Sequence, residues 1–121
     1  MLEQEGYDLM GTAFEVYNEK GHGFLEDVYQ ECLEIELGMR DVPYKSQCEL
    51  KLFYKERQLR KKYVPDFFVS DEIIVEIKAV KKLLPEHEAQ LINYLKATKK
   101  RVGYLINFGS SDELEWKRII I

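Results

Sequence analysis

Residues 63–80, YVPDFFVSDEIIVEIKAV, leave a folding chain few choices: two short apolar runs flank a polar turn, and between them they carry two acids and a lysine. The runs at 63–69 and 73–80 are rich in aromatic and β-branched residues, and Ser70, Asp71 and Glu72 are turn formers, so the stretch predicts a β-hairpin. With those three residues as the loop, Val69 faces Ile73. Counting outward then sets Asp66 opposite Glu76 and Val64 opposite Lys78, all four on one face. The other face takes Phe67, Val69, Ile73, Val75, Ile77 and Ala79, an apolar set able to cover a core.

Two carboxylates directly opposed in an antiparallel pair have Cβ atoms about 4.5–5.5 Å apart and destabilise the sheet. Asp66 and Glu76 therefore need compensation. A raised pKa on one acid is one route; the other is a divalent cation, for which clustered carboxylate oxygens are preferred hard ligands. Lys78 lies two residues after Glu76 on the same face and adds positive charge without filling a coordination sphere. Acid, acid and lysine around a cation suit phosphodiester cleavage. A lone Glu-x-Lys on a solvated sheet face is ordinary surface; Pro65-Asp66 at the right distance upstream sets this one apart.

With 121 residues, 45% of them hydrophobic, the chain is read as a single domain over 1–121 with one core. Its first ten residues, MLEQEGYDLM, lack the basic and apolar regions of a secretory signal, and no apolar run reaches membrane-spanning length, so a cytoplasmic protein with no membrane segment is expected. Cys32 and Cys48 form neither a disulfide framework nor a zinc spacing and are read as core residues. A net charge of -4 argues against holding nucleic acid by bulk charge. The cations are nonetheless clustered. Lys55, Arg57, Arg60, Lys61 and Lys62 precede the hairpin, Lys81 and Lys82 follow it, and Lys96, Lys99, Lys100 and Arg101 come later. Such a basic edge suits a phosphate backbone and equally suits a solvated surface.

Met10, Ala13, Phe14 and Tyr17 fall at i, i+3, i+4, i+7 and predict a helix over 7–20, ending in Gly21-His22-Gly23. A second helix buries Leu25, Val28, Tyr29, Cys32, Leu33 and Leu37, with Gly38 as its C-terminal cap; Glu26 near its start has no assignable role from position alone. After Pro43, alternation around Cys48, Leu50, Leu52 and Tyr54 predicts a half-buried strand, and residues 55–58 turn the chain toward the hairpin. Leu84-Pro85 opens a third helix, on which His87, Gln90, Leu91 and Tyr94 share a face. Residues 102–108 form a buried strand and 114–121 a last one. Helix, helix, three strands, helix, two strands is an α/β fold, a mixed β-sheet flanked by helices.

That order resembles the PD-(D/E)xK nuclease superfamily, with Pro65-Asp66 followed by Glu76-Ile77-Lys78 and Gln90-x-x-x-Tyr94 on the next helix. Gly23, Glu26 and Tyr29 are similar to the element that names its GxxExxY family, as are HEAQLINYL at 87–95 and VGYLINFG at 102–109. The resemblance implies a restriction-endonuclease-like core that hydrolyses phosphodiester bonds of DNA with Mg2+ or Mn2+. It implies that Asp66, Glu76 and the Ile77 carbonyl hold the ion, that Glu26 completes the acidic set, that Lys78 positions or activates the attacking water, and that Gln90 and Tyr94 shape the site. His87 is better placed than His22 to line the pocket, and neither histidine has a partner at zinc spacing. An RNA substrate, or a non-catalytic binding module on the same fold, are the competing readings. So small a domain offers a short groove, so a homodimer or larger partner is expected, with residues 119–121 as a contact.

Overall fold

A computed structural model describes residues 1–121. Two helices come first, α1 (Glu3–Lys20) and α2 (Glu26–Met39), and five strands follow: β1 (Tyr44–Ser46), β2 (Leu50–Tyr54), β3 (Arg57–Tyr63), β4 (Phe67–Val69) and β5 (Ile73–Lys78). Then come α3 (Pro85–Thr98), β6 (Val102–Asn107) and β7 (Glu115–Ile120). The main sheet has the order β1-β4-β5-β6-β7, and β2 and β3 make a separate two-stranded sheet. β5 and β6 are parallel and joined through α3; the other neighbours are antiparallel. This is the expected mixed sheet flanked by helices.

Central parallel strands are covered on both faces, so they read as continuous apolar runs rather than alternating ones. Ile73, Ile74 and Val75 of β5 are all buried, as is every residue of β6. One face of the sheet meets α1 and α2 in a cluster of 18 buried residues that includes Phe67, Val69, Ile73, Val75 and Ile77. On the opposite face Phe68, Ile74 and Leu105 meet Leu91 and Leu95 of α3 and Leu52 and Tyr63 of the small sheet, a cluster of only eight. The α1–α2 side is therefore the principal core. It takes the apolar hairpin face read from the sequence.

The hairpin turn forms as expected. Ser70 and Asp71 adopt φ of 54° and 56°, Glu72 N–H bonds to the Val69 carbonyl at 3.1 Å, and Val69 pairs with Ile73. Its first strand does not stay whole. The β4–β5 ladder ends at Phe67 opposite Val75, and residues up to Tyr63 belong to the small sheet instead. Pro65 explains the break: it has no N–H for a ladder and restricts the backbone of Val64 before it. Val64 ends exposed rather than opposite Lys78.

Five strands precede α3 where the sequence reading has three, because β1 is too short to show a two-residue period and β3 separates from β4. α1 begins at Glu3, and its buried face is Gly6, Leu9, Met10, Thr12, Ala13 and Val16; Phe14 turns outward. α2 continues through Gly38, and the left-handed turn beyond it falls on Asp41 at φ 55°, a residue whose short polar side chain tolerates that conformation. Leu25 precedes α2 and is exposed. Cys32 and Cys48 are free and only half-buried, at the margins of the two clusters. No helix is long and apolar enough to cross a membrane.

Candidate active site

The turn before α2 sets the first acid. Gly21 and Gly23 take φ of 69° and 109°, a region glycine enters without the Cβ penalty. The Tyr29 hydroxyl donates to the Gly21 carbonyl at 2.6 Å and accepts the Phe24 N–H at 3.2 Å, while its buried ring stacks on Phe108 with centroids 4.7 Å apart. Tyr29 thus latches the turn to the core and fixes where α2 begins. Glu26 is the first residue of that helix, where the positive end of the dipole favours a carboxylate.

Asp66 sits just ahead of β4, at the end of the segment that Pro65 turns, and is held from several sides. Its N–H donates to Glu76 Oε1 at 2.9 Å, and its Oδ2 accepts the Ile77 N–H at 2.8 Å. Each acid thus bonds the main chain of the opposite strand, so side chains continue the pairing where the ladder stops. The Asp66 carbonyl accepts from Gln30 Nε2 at 3.1 Å and from the Gln47 N–H at 3.1 Å, which ties it to α2 and to the β1 end. Glu26, Asp27, Gln30, Gln47, Asp66 and Ile77 line one cavity of about 210 Å³. Three of the four residues expected to hold a cation therefore face one space.

Glu76 is half-buried on β5 beside Asp66. Burial first, and then the charge of Asp66, push its carboxyl up to about 7. Tyr63, the last residue of β3, lies against it. That hydroxyl is buried without a hydrogen-bond partner, and burial followed by the Glu76 charge drives its pKa well above the phenol range. The Tyr63 ring stacks on Tyr94 with centroids 3.8 Å apart and planes 7° from parallel. Tyr94 reaches the acids through this stack. Gln90 is exposed, makes no side-chain hydrogen bond and does not line the cavity.

Lys78 follows Glu76 on the same face, half-buried, and its ammonium pairs with neither acid. The strand end behind it is clamped by Asn107, fully buried on β6. Asn107 Oδ1 accepts the Val80 and Gly109 N–H groups at 3.0 Å each, and Nδ2 donates to the Val80 carbonyl at 2.8 Å and Glu115 Oε1 at 3.0 Å. Gly109 is needed there, since a Cβ would lie 2.2 Å from the Val80 oxygen. Asn107→Ala leaves these partly buried main-chain groups without their partner, at up to about 1–3 kcal/mol each. Urea denaturation is expected to show a loss of roughly 3 kcal/mol, and a loss under about 1 kcal/mol would refute the clamp.

The two histidines lie elsewhere. His87 Nδ1 accepts the Leu84 N–H at 3.0 Å, which caps α3 rather than lining the cavity, and His22 is exposed in the glycine turn. Gln30, Gln47, Tyr63 and Asn107 escape the sequence reading. Asn107 had a signal, as the one polar side chain within the apolar run 102–108; Gln30 and Gln47 had none.

The donors fit a hard divalent cation. Asp66, Glu76, Glu26 and the Ile77 carbonyl offer only oxygen, and burial together with the Asp66 charge raises the Glu76 carboxyl to about 7, a cost that a cation would offset. No three His, Cys, Asp or Glu side chains stand close enough to form a ready ligand cluster. A pair of carboxylates with a carbonyl suits an ion that keeps several of its own waters, as Mg2+ does.

A family model described as the PD-(D/E)XK nuclease superfamily matches residues 3–119. Among solved structures, the crystal structure of SSO0001 is similar, with a TM-score of 0.61 and 22% sequence identity over 78% of this chain and 49% of that one. The likeness at that identity concerns the fold, and the chain spans about half the length of SSO0001. No curated protein matches the chain.

Proposed function

Since the chain belongs to the PD-(D/E)XK nuclease superfamily, we infer that it is a divalent-metal-dependent nuclease that hydrolyses phosphodiester bonds of DNA by attack of water. The observation that carries this reading is the half-buried Asp66–Glu76 pair, in which Glu76 is fixed on the Asp66 N–H and Asp66 on the Ile77 N–H, and whose charge is not balanced by Lys78. Within the superfamily we assign the chain to the GxxExxY branch on Gly23, Glu26 and Tyr29.

Asp66, Glu76 and the Ile77 carbonyl would hold Mg2+ or Mn2+, and Glu26 would reach it across the cavity it shares with Asp66 and Ile77. When bound, the ion supplies charge stabilisation to the phosphate and lowers the pKa of water. The protein's own part is positioning. Ile77 and the Asp66 main chain hold the two carboxylates in place before substrate arrives, so little reorganisation remains for the reaction. Lys78, free of a carboxylate partner, keeps its ammonium available to orient the attacking water and meet the developing phosphate charge. The Tyr63–Tyr94 stack walls the acids off on the α3 side, and Gln90, one turn before Tyr94 on α3, is exposed and would act only on bound substrate. The unpaired cysteines suit a reducing compartment such as the cytoplasm.

The test is cleavage of single- and double-stranded DNA, and of RNA of the same sequence, by the purified chain. Cleavage of DNA is expected with added Mg2+ or Mn2+ and is expected to stop on chelation. RNA cut while DNA is spared would move the substrate. A folded protein that cuts neither with any divalent ion would leave a binding module on a nuclease fold.

A further inference from the structure

Resting on the nuclease reading for its substrate, we propose that β2 and β3 form an arm that grips the phosphate backbone of the nucleic acid and leads it to Asp66 and Glu76. A chain of net charge -4 must hold a polyanion against its own acids, and Glu26, Asp27, Asp66 and Glu76 stand at the point of cleavage. The arm carries the opposite charge. Residues 51–62 contain Lys51, Lys55, Arg57, Arg60, Lys61 and Lys62 against a single acid, Glu56.

These cations have nothing in the chain to neutralise them. Every residue from 57 to 62 is exposed, and none of the six basic side chains joins an ion pair. The one acid is already taken, since Lys99 bonds Glu56 at 2.9 Å. Lys99 also lies 4.8 Å from the Phe53 ring centroid, so the arm is pinned to the end of α3. More telling is the pairing of Lys51 directly opposite Lys62, since like charges in register weaken a two-stranded sheet. A row of phosphates would relieve that repulsion.

Position and length fit the same occupant. β3 ends in Tyr63, which lies against Glu76 and stacks on Tyr94, so the basic strand runs directly into the site. Lys62 precedes Asp66 by four residues, at most about 14 Å of extended chain. A seven-residue strand is roughly 23 Å long, comparable with six or seven phosphates at about 3.4 Å each along one strand.

The test measures binding in EDTA, where cleavage plays no part, by anisotropy of a labelled 20-nucleotide DNA, single-stranded and duplex. The triple variant Arg60→Gln, Lys61→Gln, Lys62→Gln is compared with wild type and with a control triple of equal charge change, Lys20→Gln, Lys45→Gln, Lys117→Gln. The arm triple is expected to bind about 10- to 100-fold more weakly near 0.1 M salt and to flatten the log–log salt slope by about 2–3. The control stays within about twofold. The double variant Lys51→Gln, Lys62→Gln relieves the like-charge pair, so it should melt no lower than wild type while binding more weakly, which separates lost contacts from lost folding. Wild-type affinity in the arm triple overturns the proposal. So does an equal loss in the control, which would mean bulk charge only, or competition by polyaspartate as effective as by DNA, which would mean an acidic protein partner. Lost binding in a protein that cleaves nothing would keep the arm and remove the nuclease reading; cleavage unchanged by the arm triple would do the reverse.

Discussion

Asp66→Asn is expected to abolish measurable Mn2+ binding and to lower DNA cleavage by at least ~10³-fold while the protein stays folded. Asn is the right probe because its side-chain oxygen can still accept the Ile77 N–H that Asp66 Oδ2 now takes at 2.8 Å. Alanine would strand that buried donor and confuse loss of function with loss of stability by about 1–3 kcal/mol. The negative charge is what disappears. A ligand carboxylate contributes several kcal/mol through the ion it holds, and about 4 kcal/mol corresponds to three factors of ten in rate. Isothermal titration with Mn2+ alongside a single-turnover cleavage assay reads both effects. Ion binding that survives in Asp66→Asn would move the metal away from this pair, whatever happened to cleavage.

Glu76→Gln is expected to separate stability from activity. The folded carboxyl titrates at about 7 against an ordinary value of 4.5, so the folded state holds the proton more tightly than the unfolded one. The stabilising contribution of that proton is fully present below about 4.5 and is lost as pH rises through about 7. Its size is on the order of 3 kcal/mol for a shift of this magnitude. At about pH 8 the ion-free wild type carries the unfavourable charge beside Asp66 and the Glu76→Gln variant does not, so the variant should melt several degrees higher. At about pH 4 the two should melt alike. Mn2+ should raise the wild-type melting temperature at the higher pH and leave the variant's unchanged, and the variant should not cleave. Equal melting of the two proteins across the whole range would mean that the Glu76 charge is already balanced within the fold.

Both expectations rest on a pair of acids whose adjacency is readable from sequence. Residues 70–72 are turn formers, the side-chain period of a strand is two, and once Val69 faces Ile73 every other partner follows by counting. The same counting carries too far at Val64, because Pro65 ends the ladder that the count assumes. What the sequence reads as one strand into the hairpin becomes the end of a basic arm and the start of the sheet. The Gly23, Glu26 and Tyr29 spacing is legible as a motif, yet its physical sense as turn, acid and latch emerges only when the Tyr29 hydroxyl is seen on the Gly21 carbonyl.

Period, turn chemistry and helix punctuation act between near neighbours, and these determined the hairpin turn, the apolar face that covers the core, the start of α3 and the facing of Asp66 and Glu76. The tertiary structure alone decided that Gln30 would grip Asp66 from 36 residues away, that Asn107 would clamp Val80 from 27 away, that Tyr63 would stack on Tyr94, and that Glu26 would share a cavity with Asp66 and Ile77. Such contacts join groups that bear no mark of one another in the chain. They form because burying the two apolar faces of one sheet leaves α2, α3 and the arm few places to lie, and the polar groups carried there must then find partners.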